Sequence, residues 1–291
     1  MHSRQKKRAP AHGGLRLVCA FALGVSLLPA VAANPAPNPD DGETQAPPAL
    51  TVPRTEAAPI IDGDISDAVW RKAALIPRLS PARDATSKAD LAIQPTTVRA
   101  LWDERNLYVA FECTDDEVFS TGTLKHDDDI YTEDVCEVFV DGKGDGRQYV
   151  EIQVGPTGVN LDLMHLLTAE AEQGPDLRLS SRVMKKDRWA FREWEMPGLQ
   201  TAAKTTAFGW SAELAIPAGP IMKRRGATTF MPAELRAHFM RYDWIKEEGR
   251  DERRLIQQNW SPVPHGNPHN SPGLMGRLLL TNDVPSSLNL D

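Results

Sequence analysis

The chain has 291 residues, with 33 Lys and Arg against 40 Asp and Glu and a formal charge of −7. Five cations (Arg4, Lys6, Lys7, Arg8, Arg16) and no acid fall in the first 33 residues, so the remainder holds 28 cations against 40 anions, a net −12. That balance excludes a protein that tracks nucleic-acid phosphates, which needs cations to displace counterions. A 41% hydrophobic, 25% charged composition excludes a disordered chain.

The start reads as an export signal. A basic stretch leads into an apolar run, Leu17 to Leu28, followed by Pro29 and the small residues Ala30 to Ala33. Cleavage is expected after Ala33, or after Ala32. The run is about 12 residues, too short for the roughly 20 that span a bilayer, and Val18 before Cys19 does not make a lipobox. The expectation is residues 1–33 as signal peptide and a periplasmic or extracellular protein with no membrane contact once the signal is removed.

Residues 34–53 hold Pro35, Pro37, Pro39, Pro47, Pro48 and Pro53 and read as an extended linker. Residues 54–282 then read as one domain and 283–291 as a tail. Val98–Trp102 and Leu107–Cys113, joined by a polar tetrad, predict a hairpin. Val135–Asp141, a glycine turn and Tyr149–Val154 predict another. Further strands are expected at Val159–Leu163, Leu177–Met184, Trp210–Ile216, Arg236–Tyr242 and Gly276–Leu280, with a helical period only over Leu161–Glu172. Many short strands divided by turns mean an all-β, antiparallel sandwich of the jelly-roll or immunoglobulin-like kind.

Period-2 alternation assigns faces. Cys136, Val138 and Val140 share one side with Val150, Ile152 and Val154, which is the core side. Glu137, Phe139, Tyr149, Glu151 and Gln153 point the other way. Cys113 and Cys136, both at core parity, are either a disulfide or two buried thiols.

Several segments in order resemble the family 9 carbohydrate-binding modules and their wider group of sugar- and haem-binding sandwiches. They are Ile61-Asp62-Gly63 through Trp70, Val98–Asp103 with Leu107–Phe111, Asp134-x-x-Glu137-x-Phe139-x-Asp141, Gly209–Pro217, Asn259-Trp260-Ser261-Pro262 and Pro272–Leu278. The resemblance spans about 220 residues. It implies a non-catalytic module secreted beside polysaccharide-degrading enzymes, in which two aromatic side chains sandwich a sugar ring and calcium is structural. Flat rings suit the apolar faces of a sugar, and a few polar groups suit its rim.

By position the stacking residues are Tyr131 and His269, where the family has tryptophans. The polar partners are Glu137 and Gln153, the latter in place of an arginine. Trp244 and Trp260 are further ligand-binding candidates near His269. Asp127, Asp128 and Asp129 are either calcium ligands or a solvated acidic loop. His165, His265 and His269 show no zinc-motif spacing. Two alternatives remain: b-type haem held by two of Met164, His165, Met240 and His269, and a glycosidase using Glu137 and Glu213.

Overall fold

A computed structural model describes residues 46–82, 93–167, 181–185, 188–261, 269 and 271–283. The expected signal peptide and most of the expected linker lie outside the described residues, as do residues 284–291. No helix among the described residues is long and apolar enough to cross a membrane.

Two β-sheets pack face to face. The smaller has five strands in the order Gln200–Thr206 (β11), Gly209–Pro217 (β12), Asn106–Thr114 (β5), Thr96–Trp102 (β4) and Ala74–Ile76 (β2). The larger runs Ala49–Pro53 (β1), Gly276–Thr281 (β15), Ala233–Lys246 (β13), Val135–Asp141 (β6), Gln148–Val154 (β7), Asn160–Leu167 (β8), Arg188–Phe191 (β10) and Ser181–Lys185 (β9). Arg253–Asn259 (β14) pairs with the long β13 and with Ser80–Pro81 (β3). One five-residue helix, Ala218–Met222 (α1), follows β12.

Both expected hairpins form, with Val98 opposite Phe111 and Val138 opposite Ile152. Because β6 and β7 pair in register, the core-side sets meet the inner residues of β5 and β12 in one buried cluster. It includes Val109, Phe111, Val138, Ile152, Trp210 and Phe239. Burying such side chains gives roughly 1.5–3 kcal/mol each and drives sheet onto sheet.

Three expectations change. Ala49–Pro53 is not linker but a strand, parallel to β15; Pro53 is tolerated because it ends the strand at the sheet edge. The helical period from Leu161 belongs to a strand as far as Leu167: both faces of β8 are buried, so its apolar residues do not alternate. The sulfurs of Cys113 and Cys136 face each other across the core at 3.4 Å as buried thiols.

One charged group penetrates the core. Arg241 is fully buried, 2.8 Å from Asp115 and 3.4 Å from Asp243, and it donates to Thr96 Oγ1 and the Thr114 carbonyl. It therefore ties β13 of one sheet to the ends of β4 and β5 in the other.

Candidate functional site

The outward face of the larger sheet is unusual because its polar side chains are buried. Register sets the rows: Met240, Glu137, Gln153 and Leu161 lie side by side across β13, β6, β7 and β8, and His238, Phe139, Glu151 and Leu163 form the next row. Tyr149 stands opposite His165 in the row beyond. Ile130, Leu163 and Tyr131 pack at one end of this face and Met275 at the other, so Glu137, Glu151 and Gln153 are each 3% exposed.

Of the two carboxyls, one has a partner at each oxygen and the other has none among the described residues. The Gln153 amide donates to Glu151 Oε1 at 2.6 Å, and His165 Nε2 lies 2.8 Å from Glu151 Oε2. His269 stands above, its Nε2 3.5 Å from the same oxygen and its Nδ1 2.8 Å from the Tyr149 hydroxyl. Burial works to raise the Glu151 carboxyl, but the His165 hydrogen bond, the two imidazoles and the Gln153 amide outweigh it and hold it below the usual range. Glu137 receives no hydrogen bond to its carboxyl among the described residues. Burial, then the charge of Glu151, pushes it well above the ordinary value. Gln153 Oε1 and His165 Nδ1 are also buried without a partner among the described residues.

The other acids of the Asp134-to-Asp141 motif are spoken for. Asp134 accepts from the Trp244 and Phe119 amides, and its carboxyl is pushed up to about 8, first by burial. Asp141 accepts from the amides of Lys143, Gly144 and Gly146 and so closes the glycine turn between β6 and β7. Within that motif only Glu137 is available to a ligand.

Tyr131 packs with Ile130, Leu161, Leu163 and Tyr242, and its carbonyl accepts from the Trp244 indole at 3.0 Å. Burial, then the charges of Glu137, Glu151 and Tyr131, raises the Tyr242 hydroxyl, which places Tyr242 between the Tyr131 end and the carboxyls. The His269 ring lies edge-on to Phe139 (5.5 Å), 4.6 Å from His165 and 6.0 Å from Tyr149. The structure thus gathers Glu137, Gln153, His269 and Tyr131 on one face and puts Trp244 behind Tyr131. Tyr149, Glu151, His165 and Tyr242 join them; the first two were legible as outward alternation, but nothing in the sequence marked them for this role.

Trp260 is the exception. It packs on Phe239 at 5.3 Å, beside the core between the sheets, and against Gly276, where a Cβ would lie 2.2 Å from its ring. The Asn-Trp-Ser and Met-Gly-Arg segments are a packing pair, and Trp260 leaves the ligand set.

The acidic trio does not converge on a calcium. Asp128 caps the Lys125 amide at 2.8 Å and Asp129 pairs with Arg192. Asp127 Oδ1 faces His126 at 3.6 Å, beside Asp162 and Glu195. There His126 lies 3.1 Å from both Glu195 oxygens. Partial burial lowers its pKa, but Glu195, Asn160 and Asp127 outweigh that and raise it to about 9. A protonated imidazole and Arg192 supply the positive charge, so the three aspartates do not fit the expected oxygen shell.

Nor does haem fit. Met164 points into the core while His165 points outward, and the His165 and His269 rings, 4.6 Å apart, leave no slot for a macrocycle between them. Met240 is packed among Phe139, Tyr149 and Met275. His265 lies outside the described residues. Glu137 and Glu213 cannot flank one glycosidic bond, because they face outward from different sheets with the core between.

Residues 61–283 match the family described as carbohydrate family 9 binding domain-like. Among solved structures the fold is similar to a family 9 carbohydrate-binding module from Caldicellulosiruptor kristjanssonii in complex with glucose. Identity is 16%, the TM-score 0.55, and the match covers 81% of this chain and 96% of that one. The cellotriose complex of a module from the same organism gives 17% identity, a TM-score of 0.55, and 82% and 97% coverage. No curated protein matches in sequence.

Proposed function

Since the chain belongs to the carbohydrate family 9 binding domain-like family, we propose that the outward face of its larger sheet binds a carbohydrate without cleaving it. The sugar seats at the Tyr131–Tyr242 end, over Glu137 and Gln153, with His269 closing the far side. One observation carries this: the buried Glu137 carboxyl, raised well above its ordinary value, stands opposite Gln153, whose side-chain oxygen is buried without a partner among the described residues. Such groups are costly when dry and unpaired, and they recover that cost when sugar hydroxyls pair with them. Aromatic walls supply the apolar contact. We place the protein outside the cytoplasm, working beside polysaccharide-degrading enzymes; the basic, apolar start of the chain supports export.

Glucose and cellotriose, the ligands of the solved relatives, are the first to titrate calorimetrically. Tyr131→Ala should weaken binding about tenfold or more, the equivalent of roughly 1.4 kcal/mol. No heat with any glycan, or unchanged affinity in Tyr131→Ala, overturns the reading.

A further inference from the structure

The upper half of the same face carries a second arrangement that sugar contacts do not explain. Glu151 and His165 lie on adjacent strands as diagonal neighbours, since His165 stands opposite Tyr149. His269 drops onto them from the segment after β14. One donor atom from each of the three lies within 4.8 Å of the others, with separations to Glu151 Oε2 of 2.8 and 3.5 Å. From this geometry we infer that Glu151, His165 and His269 form a binding site for a divalent transition metal, Zn²⁺ in the first instance.

Four observations argue for it. Zinc holds nitrogen and oxygen donors at about 2.0–2.1 Å, which puts tetrahedral ligands roughly 3.4 Å from one another, close to the spacings here. Two imidazoles and one carboxylate suit zinc rather than calcium, which takes 6–8 oxygens. The Tyr149 hydroxyl at His269 Nδ1, 2.8 Å away, fixes the ring so that Nε2 is the nitrogen facing Glu151, the usual outer support of a metal-bound histidine. Finally, Gln153 Oε1 is buried without a partner among the described residues beside Glu151, positioned to accept from a water in the fourth coordination position. A divalent ion also offsets the charge of the buried Glu151 carboxylate.

The test uses the full chain, stripped with a chelator and titrated with Zn²⁺ and, as a visible probe, Co²⁺, with no sugar present. One equivalent is expected, with cobalt absorption bands of a low-coordinate nitrogen and oxygen site. His269→Ala, on a segment outside the sheets, should lower affinity by about 100-fold or more, and Tyr149→Phe by about 10–100-fold. His126→Ala should leave the equivalent in place. Absence of stoichiometric metal overturns the proposal. So does an equivalent that survives His269→Ala but is lost in His126→Ala, which assigns the ion to the His126–Asp162–Glu195 group. Tyr131→Ala separates the two readings, because it should weaken sugar binding about tenfold or more and keep the metal.

Discussion

Both sheets bury glutamate on their outward faces, and Glu213 of the smaller and Glu137 of the larger are treated in opposite ways. Glu213, on β12, is saturated: it accepts from the amides of Asp62 and Gly63 and from the Trp70 indole at 2.7–3.0 Å. Those donors belong to the opening Ile-Asp-Gly…Trp segment, which lies over a small cluster of Trp70, Leu101, Tyr108, Ala110 and Ala215. Glu137, on β6, accepts no hydrogen bond at its carboxyl among the described residues. One carboxyl fastens a chain segment to the fold; the other has no such partner among the described residues and is the one assigned above to the proposed ligand. A buried acid in a family motif is therefore no sign of function until its partners are counted.

The largest effect should come from the saturated residue. Glu213→Ala orphans three donors, and at about 1–3 kcal/mol for each it should cost at least about 3 kcal/mol in urea unfolding. A loss under about 1 kcal/mol would erase the contrast. Gly63→Ala comes next. The residue has φ +85°, and an added Cβ would lie 2.6 Å from the Ala203 carbonyl carbon. Strain and collision together should cost about 2 kcal/mol, detected as a lower Tm.

Glu137→Gln should do the reverse, leaving stability level or slightly raised while weakening sugar binding by about tenfold. A destabilised Glu137→Gln protein that still binds sugar would make the two glutamates alike. A further effect is in pH. Asp134 has its carboxyl raised to about 8 in the folded state, and Glu137 and Glu213 are raised as well, in each case first by burial. The folded chain then holds protons that the unfolded chain releases above about 4, so stability falls as pH rises through that window. His126, raised to about 9, acts in the same sense, its contribution being lost as pH rises. Tm should therefore be higher at pH 5 than at pH 8, and Glu137→Gln should flatten the slope.

The β6–β7 hairpin was legible because one of its faces is uniformly apolar: Val138 and Ile152 could only point inward, which put Glu137 and Gln153 outward together. β11 and β14 were not legible. Gln200–Thr206 is an exposed edge and Arg253–Asn259 is half-buried and polar, so neither shows an apolar alternation. The Glu151–His165–His269 group escaped a reading by spacing, since strand pairing rather than a local motif unites residues so far apart. Trp260 failed differently. Its motif and its nearness to His269 in sequence were real, but the ring turns toward Phe239 and the core.

The parallel pairing of β1 with β15 has a kinetic consequence. Trp102, buried early in the smaller sheet, donates from its indole to both the Val52 and Thr281 carbonyls at 3.1 Å. Val52 itself stands opposite Leu280. This corner closes only when the first and last strands meet across nearly the whole domain, a contact of high loop-closure cost and slow formation. A chain that lacks β15 cannot close this corner, because β1 and β13 both pair with it.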